Sequence, residues 1–395
     1  MKKLSKQTRK NLLNSLIILG TVAAVIYLAA KNGDINVSVQ AMLSSDKRWL
    51  GIGFAAWGLS MVTEALINQC FFIWQRVNIR FFSTLHVTLL GMFYSNVTPA
   101  ATGGQPMQVF AFKKRGVPVG VSSSSLAVKF FCFQAALLTG GAAWWLCQQK
   151  FVNACVIGGK WLIFAGFAIN GLSVALVLLL AINRNLVRFV IVLIIRLGQK
   201  LRLVRDPERL SSRADAALDD FGASVNMLVH HPLQITLLVI LSLTQLFLLM
   251  SASYCVYRAL GLCGERWYRL MTLQWLLFIA ASFTPLPGAS GVQEGGFYVF
   301  FGSIFPEQLI FPALLLWRTI TYYGALLIGL GAVIYESARS MRGNRKMAAA
   351  RVKEKPAQEA GPAAPNKEPA EESGAPARED PFPAQPEVSG SEVSE

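Results

Sequence analysis

Residues 284–294 read TPLPGASGVQE and lie inside an apolar segment that runs from residue 270 to residue 304. Two prolines and two glycines interrupt what would otherwise be a membrane helix, and the carboxylate of Glu294 follows the interruption. Lipid cannot hydrogen-bond the freed N–H and C=O groups, so such a break must be buried in protein or line a wet cavity. A carboxylate at that depth is costly and indicates a functional site.

The composition is that of a membrane protein. Of the 395 residues, 53% are hydrophobic and only 15% are charged, with a mean hydropathy of +0.45, whereas a soluble domain is about 25% charged. The formal net charge is +15, but the last 43 residues carry ten acidic and four basic side chains, so the rest of the chain is strongly basic. A basic membrane body favours contact with anionic lipid head groups, although topology alone also requires basic cytoplasmic loops.

Cysteine and histidine give no signal for a metal or for Cys/His catalysis. The six cysteines contain no CxxC pair, and two of the three histidines are adjacent at positions 230 and 231. We therefore expect no metal and no cofactor. Cys147 and Cys155 flank one short predicted loop and could pair if that loop is outside. The chain has no P-loop, so direct ATP hydrolysis is not expected.

Alternating apolar and basic stretches predict an all-α polytopic membrane protein with six full spans. The predicted spans are residues 12–30, 49–74, 119–145, 160–182, 232–257 and 308–335. Basic residues cluster before the first span and after the last one, so the positive-inside rule places both termini in the cytoplasm. Residues 31–48 and 147–159 are then expected outside, as a segment and a loop.

Proline and glycine interrupt two further apolar stretches, so that neither forms a continuous apolar helix long enough to cross the membrane. Residues 81–115 are basic at both flanks and predict a re-entrant hairpin that enters from the cytoplasm. Residues 270–305 predict a second hairpin, which enters from outside. The predicted organisation is an N-terminal span and outside segment (1–48), a first membrane half (49–183), a cytoplasmic linker (184–231), a second membrane half (232–336) and a cytoplasmic tail (337–395).

The linker and the tail have contrasting compositions. Basic residues of the linker stand among leucine, valine and isoleucine, which predicts an amphipathic helix on the cytoplasmic leaflet. Those expected to contact anionic lipid of that leaflet are Arg184, Arg188, Arg196, Lys200 and Arg202. The tail is rich in proline, glutamate and alanine and is predicted to be disordered.

The two interrupted stretches are similar in sequence and opposite in predicted orientation. Residues 96–106 read NVTPAATGGQP, so a Thr-Pro pair, glycines and a polar residue recur in the order found at 284–294. One such break alone is more often a kink. Paired breaks at corresponding positions of two halves indicate a transporter site near the midplane. Freed N–H groups and helix N-termini suit an anionic group such as phosphate. We therefore expect an inverted repeat whose two hairpins meet around a lipid head group.

The candidate residues follow from these breaks and from the few intramembrane charges. Those expected to contact or orient the head group are Asn96, Thr98, Gly103, Gly104, Gln105, Thr284, Pro287, Gly288, Gly291, Glu294 and Arg318. The intramembrane charges Glu64 and Lys129 are expected to pair, as are Glu294 and Arg318, and such pairs could instead lock the helix bundle. The polar residues of the breaks could simply satisfy broken backbone. Sequence matching sets Gln105 against Glu294, so any protonation switch is expected in the second half, and a proton-coupled and a passive mechanism both stay open.

Three stretches together carry a resemblance to a known family. They are NVTPAATGGQPMQVFAFKKRGVP (96–118), TPLPGASGVQEGG (284–296) and LWRTITYY (316–323). The chain resembles the lysylphosphatidylglycerol synthase transmembrane (flippase-like) family, the membrane domain of the multiple peptide resistance factor, over most of residues 10–336. The second motif with its following arginine is the more specific part. The first departs from the family pattern, in which a glutamate often stands at the place of Gln105.

The resemblance implies flippase-like translocation of a phospholipid or of aminoacylated phosphatidylglycerol in the bacterial plasma membrane. In full-length relatives a soluble C-terminal domain transfers lysine from lysyl-tRNA to phosphatidylglycerol, and flipping of the product gives resistance to cationic antimicrobial peptides. About 60 residues follow the last predicted span, too few for the core of such a transferase. We therefore expect only the membrane half here.

Two other functions stay open, together with several partners. One is phosphatidylglycerol lysyltransferase activity, alone or with a separate synthase subunit. The other is a scaffold whose acidic tail recruits partners. The expected partners are anionic membrane phospholipids, a separate lipid synthase or glycosyltransferase and a second copy of the chain, with no direct contact to nucleic acid.

Overall fold

The computed structural model describes residues 35–156, 158–182, 189, 230–282 and 284–339, and all regular secondary structure in them is helical. The predicted all-α class is therefore confirmed for this part of the chain. Three predictions fall outside the described residues. They are the first span at 12–30, the tail from residue 340 onward and the linker side chains Arg184, Arg188, Arg196, Lys200 and Arg202.

The helices follow the predicted order of spans and hairpins. They are α1 Ile35–Leu43, α2 Lys47–Trp74, α3 Phe81–Val97, α4 Gly104–Lys113, α5 Val119–Cys147, α6 Gln149–Cys155, α7 Lys160–Ile182, α8 Pro232–Ala259, α9 Trp267–Ala281, α10 Val292–Phe301 and α11 Glu307–Arg339. Contacts between residues divide the chain into two units, and the first unit ends at Ala338. Of the second unit, only its first residue, Arg339, is among the described residues.

Four of these helices are long and apolar enough to cross a membrane. They are α2, α5, α8 and α11, at positions where the sequence predicts spans. Helix α6 and the start of α7 meet at a bend of 120° and together give a fifth such segment. The described residues therefore contain four or five candidate spans, and the predicted total of six stays a prediction.

The connection between α5 and α7 differs from the predicted loop, because residues 149–155 form α6. The side chain of Val152 is fully buried and belongs to the main apolar core, which explains why this segment folds onto the bundle. Cys147 and Cys155 are both free thiols, so the disulfide that an outside loop would have allowed is not formed. The segment before α2 also contains a helix, α1, where only an outside segment was expected.

Both predicted hairpins are pairs of short helices that pack against each other. Helix α3 packs on α4, and α9 packs on α10. The first break falls between Val97 and Gly104, and the second between Ala281 and Val292. Proline has no N–H and restricts the residue before it, so each Pro-containing stretch ends its helix.

The order of elements repeats, since a long helix, a broken pair and a long helix occur as α2–α5 and again as α8–α11. The first helices of the two sets, α2 and α8, pack extensively along each other. The inverted orientation of the two copies stays a prediction. The largest apolar core holds the second hairpin, where the Phe297 ring stacks on Phe301 and Trp317 with centroids 4.6 and 5.2 Å apart.

Candidate functional site

The two breaks have the same unusual backbone conformation. Pro99–Ala101 and Pro287–Ala289 each form a single turn of 3-10 helix. The central residue is left-handed in both, with φ and ψ of 50° and 28° at Ala100 and of 61° and 19° at Gly288. The following alanine also has a positive φ in each turn. Non-glycine residues rarely adopt this conformation, so its recurrence indicates that the two breaks are structurally equivalent.

Matching hydrogen bonds fix the register between the two turns. The hydroxyl of Thr102 donates to the carbonyl of Pro99 over 3.0 Å, and that of Ser290 donates to the carbonyl of Pro287 over 2.8 Å. Pro99 therefore corresponds to Pro287, and Gln105 corresponds to Gln293. This corrects the sequence matching that set Gln105 against Glu294. The second break contains two prolines, and the sequence alone does not reveal which of them begins the turn.

The two turns pack against each other. In addition, the backbone N–H of Ala100 in the first turn donates over 3.2 Å to the carbonyl of Pro285, two residues before the second turn. One hydrogen bond thus joins segments that lie in different halves of the chain. Because the turns contact each other, polar groups of both breaks can face a shared space.

Two adjoining cavities lie beside the turns. The first has a volume of about 260 Å³, and its wall includes Asn96, Gln274, Thr284, Gly288, Gln293 and Arg318. The second has a volume of about 310 Å³, and its wall includes Glu64, Gly104, Gln105, Gln108, Lys129 and Gln245. Asn96 lines both cavities, so the end of α3, directly before the first break, forms part of their common wall.

Arg318 and Glu294 form the predicted ion pair beside the first cavity. Arg318 Nε donates to Glu294 Oε1 over 2.6 Å, and the two residues are only 2% and 6% exposed. The other carboxylate oxygen, Oε2, accepts the N–H of Gly291 over 2.5 Å. The Arg318 guanidinium also donates to the carbonyl of Gly288 at 3.3 Å and to Gln293 Oε1 at 3.1 Å. This network fixes the second turn against α11.

A π-helical turn, Thr319–Tyr323, begins directly after Arg318 in α11. Such turns widen a helix locally and are frequent at functional sites. Thr321 and Tyr322, both within this turn, line the first cavity. The irregular part of α11 is therefore the part that faces the second break.

Glu64 and Lys129 form the second predicted ion pair, and they lie on the wall of the second cavity. Lys129 Nζ donates to Glu64 Oε1 over 2.7 Å and to Gln108 Oε1 over 3.3 Å. Gln245 Nε2 donates to Glu64 Oε2 over 3.1 Å. The network joins α2, α4, α5 and α8. Sequence reasoning missed both glutamines because it considered only ionisable residues, although a lone glutamine in an apolar helix is itself a signal.

The structure divides the predicted head-group residues into two sets. Those on a wall of the two cavities are Asn96, Gly104, Gln105, Thr284, Gly288 and Arg318. Those that line neither cavity are Thr98, Gly103, Pro287, Gly291 and Glu294. The second set supports the breaks. For example, the Thr98 hydroxyl donates to the carbonyl of Tyr94 over 2.6 Å and accepts the N–H of Gly103 over 2.9 Å.

These features define a multi-pass helical membrane protein in which two interrupted hairpins meet beside cavities lined by both polar and apolar side chains. A family model described as the lysylphosphatidylglycerol synthase TM region matches residues 12–329, and the chain belongs to that family. It is also similar to a UPF0104 membrane protein from Archaeoglobus fulgidus. That protein is 23% identical over 337 residues, an alignment covering 78% of this chain and 96% of the archaeal one.

Proposed function

We propose that this protein moves the head group of an anionic phospholipid across the membrane through the space between its two interrupted hairpins. The observation that carries this proposal is the contact of the two breaks, Ala100 N–H to Pro285 carbonyl, beside two adjoining cavities whose walls include polar and charged side chains. The chain belongs to a family whose description names a phospholipid, lysylphosphatidylglycerol, and this supports a lipid as the transported molecule.

The charges beside the cavities suit a phosphate. Each set of broken helices is followed by a long helix that places a cation on a cavity wall, Lys129 on α5 and Arg318 on α11. Each cation is held by a carboxylate, so neither network carries a large net charge of its own. An approaching phosphate would compete with Glu64 or Glu294 for these donors. With a lipid bound, the phosphate would accept hydrogen bonds from Lys129 or Arg318. Without a lipid, the carboxylate would pair the same cation, so that no buried charge is left without a partner.

The proposal includes a membrane topology. The protein would have six full spans, an inverted repeat, both termini in the cytoplasm and a location in the bacterial plasma membrane. The basic linker side chains at positions 184–202 would gather anionic lipid at the inner leaflet. An aminoacylated phosphatidylglycerol keeps the phosphate that the site would hold, and its delivery to the outer leaflet would reduce the negative charge of that leaflet and so contribute to resistance to cationic peptides.

Transport can be tested in proteoliposomes with a fluorescent phosphatidylglycerol and a membrane-impermeant quencher. Asn96→Phe places a ring in the wall shared by both cavities and should slow lipid movement to the rate of empty liposomes. The matched control is Leu172→Phe, an exposed apolar position on α7 that is 71% exposed, which should move lipid at the wild-type rate. Movement by the Asn96→Phe variant at the wild-type rate would contradict the proposed path, and an inactive wild type would contradict the function.

The family description also favours a second candidate, the synthesis of lysylphosphatidylglycerol. The test is a lipid extract from cells that express this chain without any other lysyltransferase. Lysylphosphatidylglycerol in that extract would establish the enzymatic function. Its absence, combined with lipid movement in proteoliposomes, would favour transport.

A further inference from the structure

Six residues lie on the walls of both cavities and therefore mark the boundary between them. Four of the six are apolar, and each comes from a different helix. These four residues form the boundary cluster, which consists of Met61 on α2, Met92 on α3, Leu249 on α8 and Phe278 on α9. The other two, Ser95 and Asn96, are polar and lie together near the end of α3. The boundary is thus apolar except for a polar strip on one helix.

The two cavities are displaced from each other along the helix bundle. On α2, Trp57 lines only the first cavity, Glu64 lines only the second, and Met61 between them lines both. A rise of 1.5 Å per residue separates Trp57 from Glu64 by about 10 Å along the helix axis. On α8, Gln245 lines the second cavity and Leu249 lines both. Because α2 and α8 are long enough to cross a membrane, this displacement has the direction in which a head group must move.

Each cavity has its own cation. Arg318 lines only the first cavity and Lys129 lines only the second. A phosphate that moves from one cation to the other must pass the boundary cluster, whose apolar side chains offer a charged group no hydrogen bond. Met61 and Met92 suit a passage that opens and closes, because methionine is unbranched, has three rotatable bonds and adapts to irregular spaces.

We propose that the boundary cluster is an apolar gate between the two cation sites, and that its opening limits the rate at which a head group moves from one cavity to the other. This inference rests on the proposed function and identifies the residues that control its rate. The polar strip of Ser95 and Asn96 stays beside the phosphate while the apolar side chains move away. When the gate is closed, the two cavities do not join into one continuous polar path.

The test changes the size of one gate residue in both directions and measures the movement of fluorescent phosphatidylglycerol in proteoliposomes. Leu249→Ala widens the gate and should raise the rate about two- to tenfold. Leu249→Trp fills the gate and should lower the rate to that of empty liposomes. Opposite effects are the mark of a gate, because a residue that only packs the bundle would lower the rate when it is made smaller and when it is made larger.

The matched controls lie on the same helix. Leu237 of α8 is 43% exposed and lines neither cavity, so Leu237→Ala and Leu237→Trp should move lipid at the wild-type rate. Melting curves identify the variants that fold. Met61→Ala and Met61→Trp repeat the comparison on α2 and decide the matter if a Leu249 variant does not fold. Their controls are the same two changes at Leu59, which is 52% exposed on α2.

The assay also separates this inference from the proposed function. If wild type moves lipid and the alanine variants move it at the wild-type rate or more slowly, the gate is wrong and the transport function stands. Movement by the tryptophan variants at the wild-type rate would overturn the gate as well. If wild type moves no lipid, the transport function itself is wrong.

Discussion

Arg318 Nε lies 2.6 Å from Glu294 Oε1 in the interior of the helix bundle, and the same guanidinium contacts the Gly288 carbonyl. One side chain of α11 therefore holds both the turn and the following helix of the second hairpin. The Glu294 carboxylate is fully engaged by Arg318 and by the Gly291 N–H. The Glu294 carboxylate thus holds Arg318 and the second turn in place, and Arg318, not Glu294, lines the first cavity.

Removing either partner of this ion pair should destabilise the protein, and removing Glu294 should cost more than removing Arg318. Glu294→Leu leaves a buried guanidinium that cannot lose its proton, and we expect the free energy of unfolding to fall by about 3–5 kcal/mol. Arg318→Leu should cost less, because the Glu294 carboxylate keeps the Gly291 N–H as a partner. The measurement is the melting temperature of the purified proteins, and the double variant should melt above Glu294→Leu. Equal melting temperatures for all four proteins would contradict a structural role for the pair.

Gly288 should not tolerate a side chain. A Cβ there would collide with the ring of Tyr322, and its φ of 61° is unfavourable for any L residue. Gly288→Ala should lose about 1–2 kcal/mol from the backbone conformation alone and should also slow lipid movement. The control is Gly295→Ala in α10, where a Cβ meets no atom within 4 Å. That variant should melt at or above the wild-type temperature, and a Gly288→Ala protein that does the same would show that the turn can rearrange.

The Thr98 hydroxyl should account for the stability of the first break. Thr98→Val keeps the size of the side chain but removes its bonds to the Tyr94 carbonyl and the Gly103 N–H. The cost should be about 1–3 kcal/mol, because the Gly103 N–H is then left without that acceptor. Thr98→Ser retains the hydroxyl and should melt close to wild type. If the valine and serine variants melt together, the hydroxyl does not stabilise the break.

Glu336 should tie the first hairpin to the end of α11. Its Oε2 accepts from Arg115 Nη2 over 2.7 Å and lies 3.1 Å from His86 Nε2, so it contacts residues at both ends of the α3–α4 pair. Glu336→Gln should weaken a charge-assisted bond of about 1.5–3 kcal/mol. Amide hydrogen exchange in residues 81–115 should then accelerate about tenfold or more.

The control for this prediction is on the same helix. Glu307 is an exposed carboxylate in the first turn of α11, so Glu307→Gln should leave exchange in residues 81–115 unchanged. Equal exchange in the Glu336→Gln protein and in wild type would mean that other contacts hold the hairpin.

Much of the architecture could be predicted from the sequence because a membrane leaves few alternatives. Apolar runs of sufficient length become helices, and proline and glycine interrupt them at fixed places. The two ion pairs could be predicted for a related reason, since a buried charge must find one of the few opposite charges available. The helical segment at 149–155 could not, because its burial depends on core residues that are distant in sequence.

The sequence by itself determined an all-helical membrane chain with two interrupted hairpins and the partners of Glu64 and Glu294. Only the tertiary structure decided that Pro287 and not Pro285 begins the second turn. The reason is that the two turns can be matched residue by residue only from their φ and ψ angles and their hydrogen bonds. The tertiary structure also decided that Ala100 meets Pro285 and that Asn96 lines both cavities. These relationships join distant segments, so they depend on how the helices pack and not on any local pattern of residues.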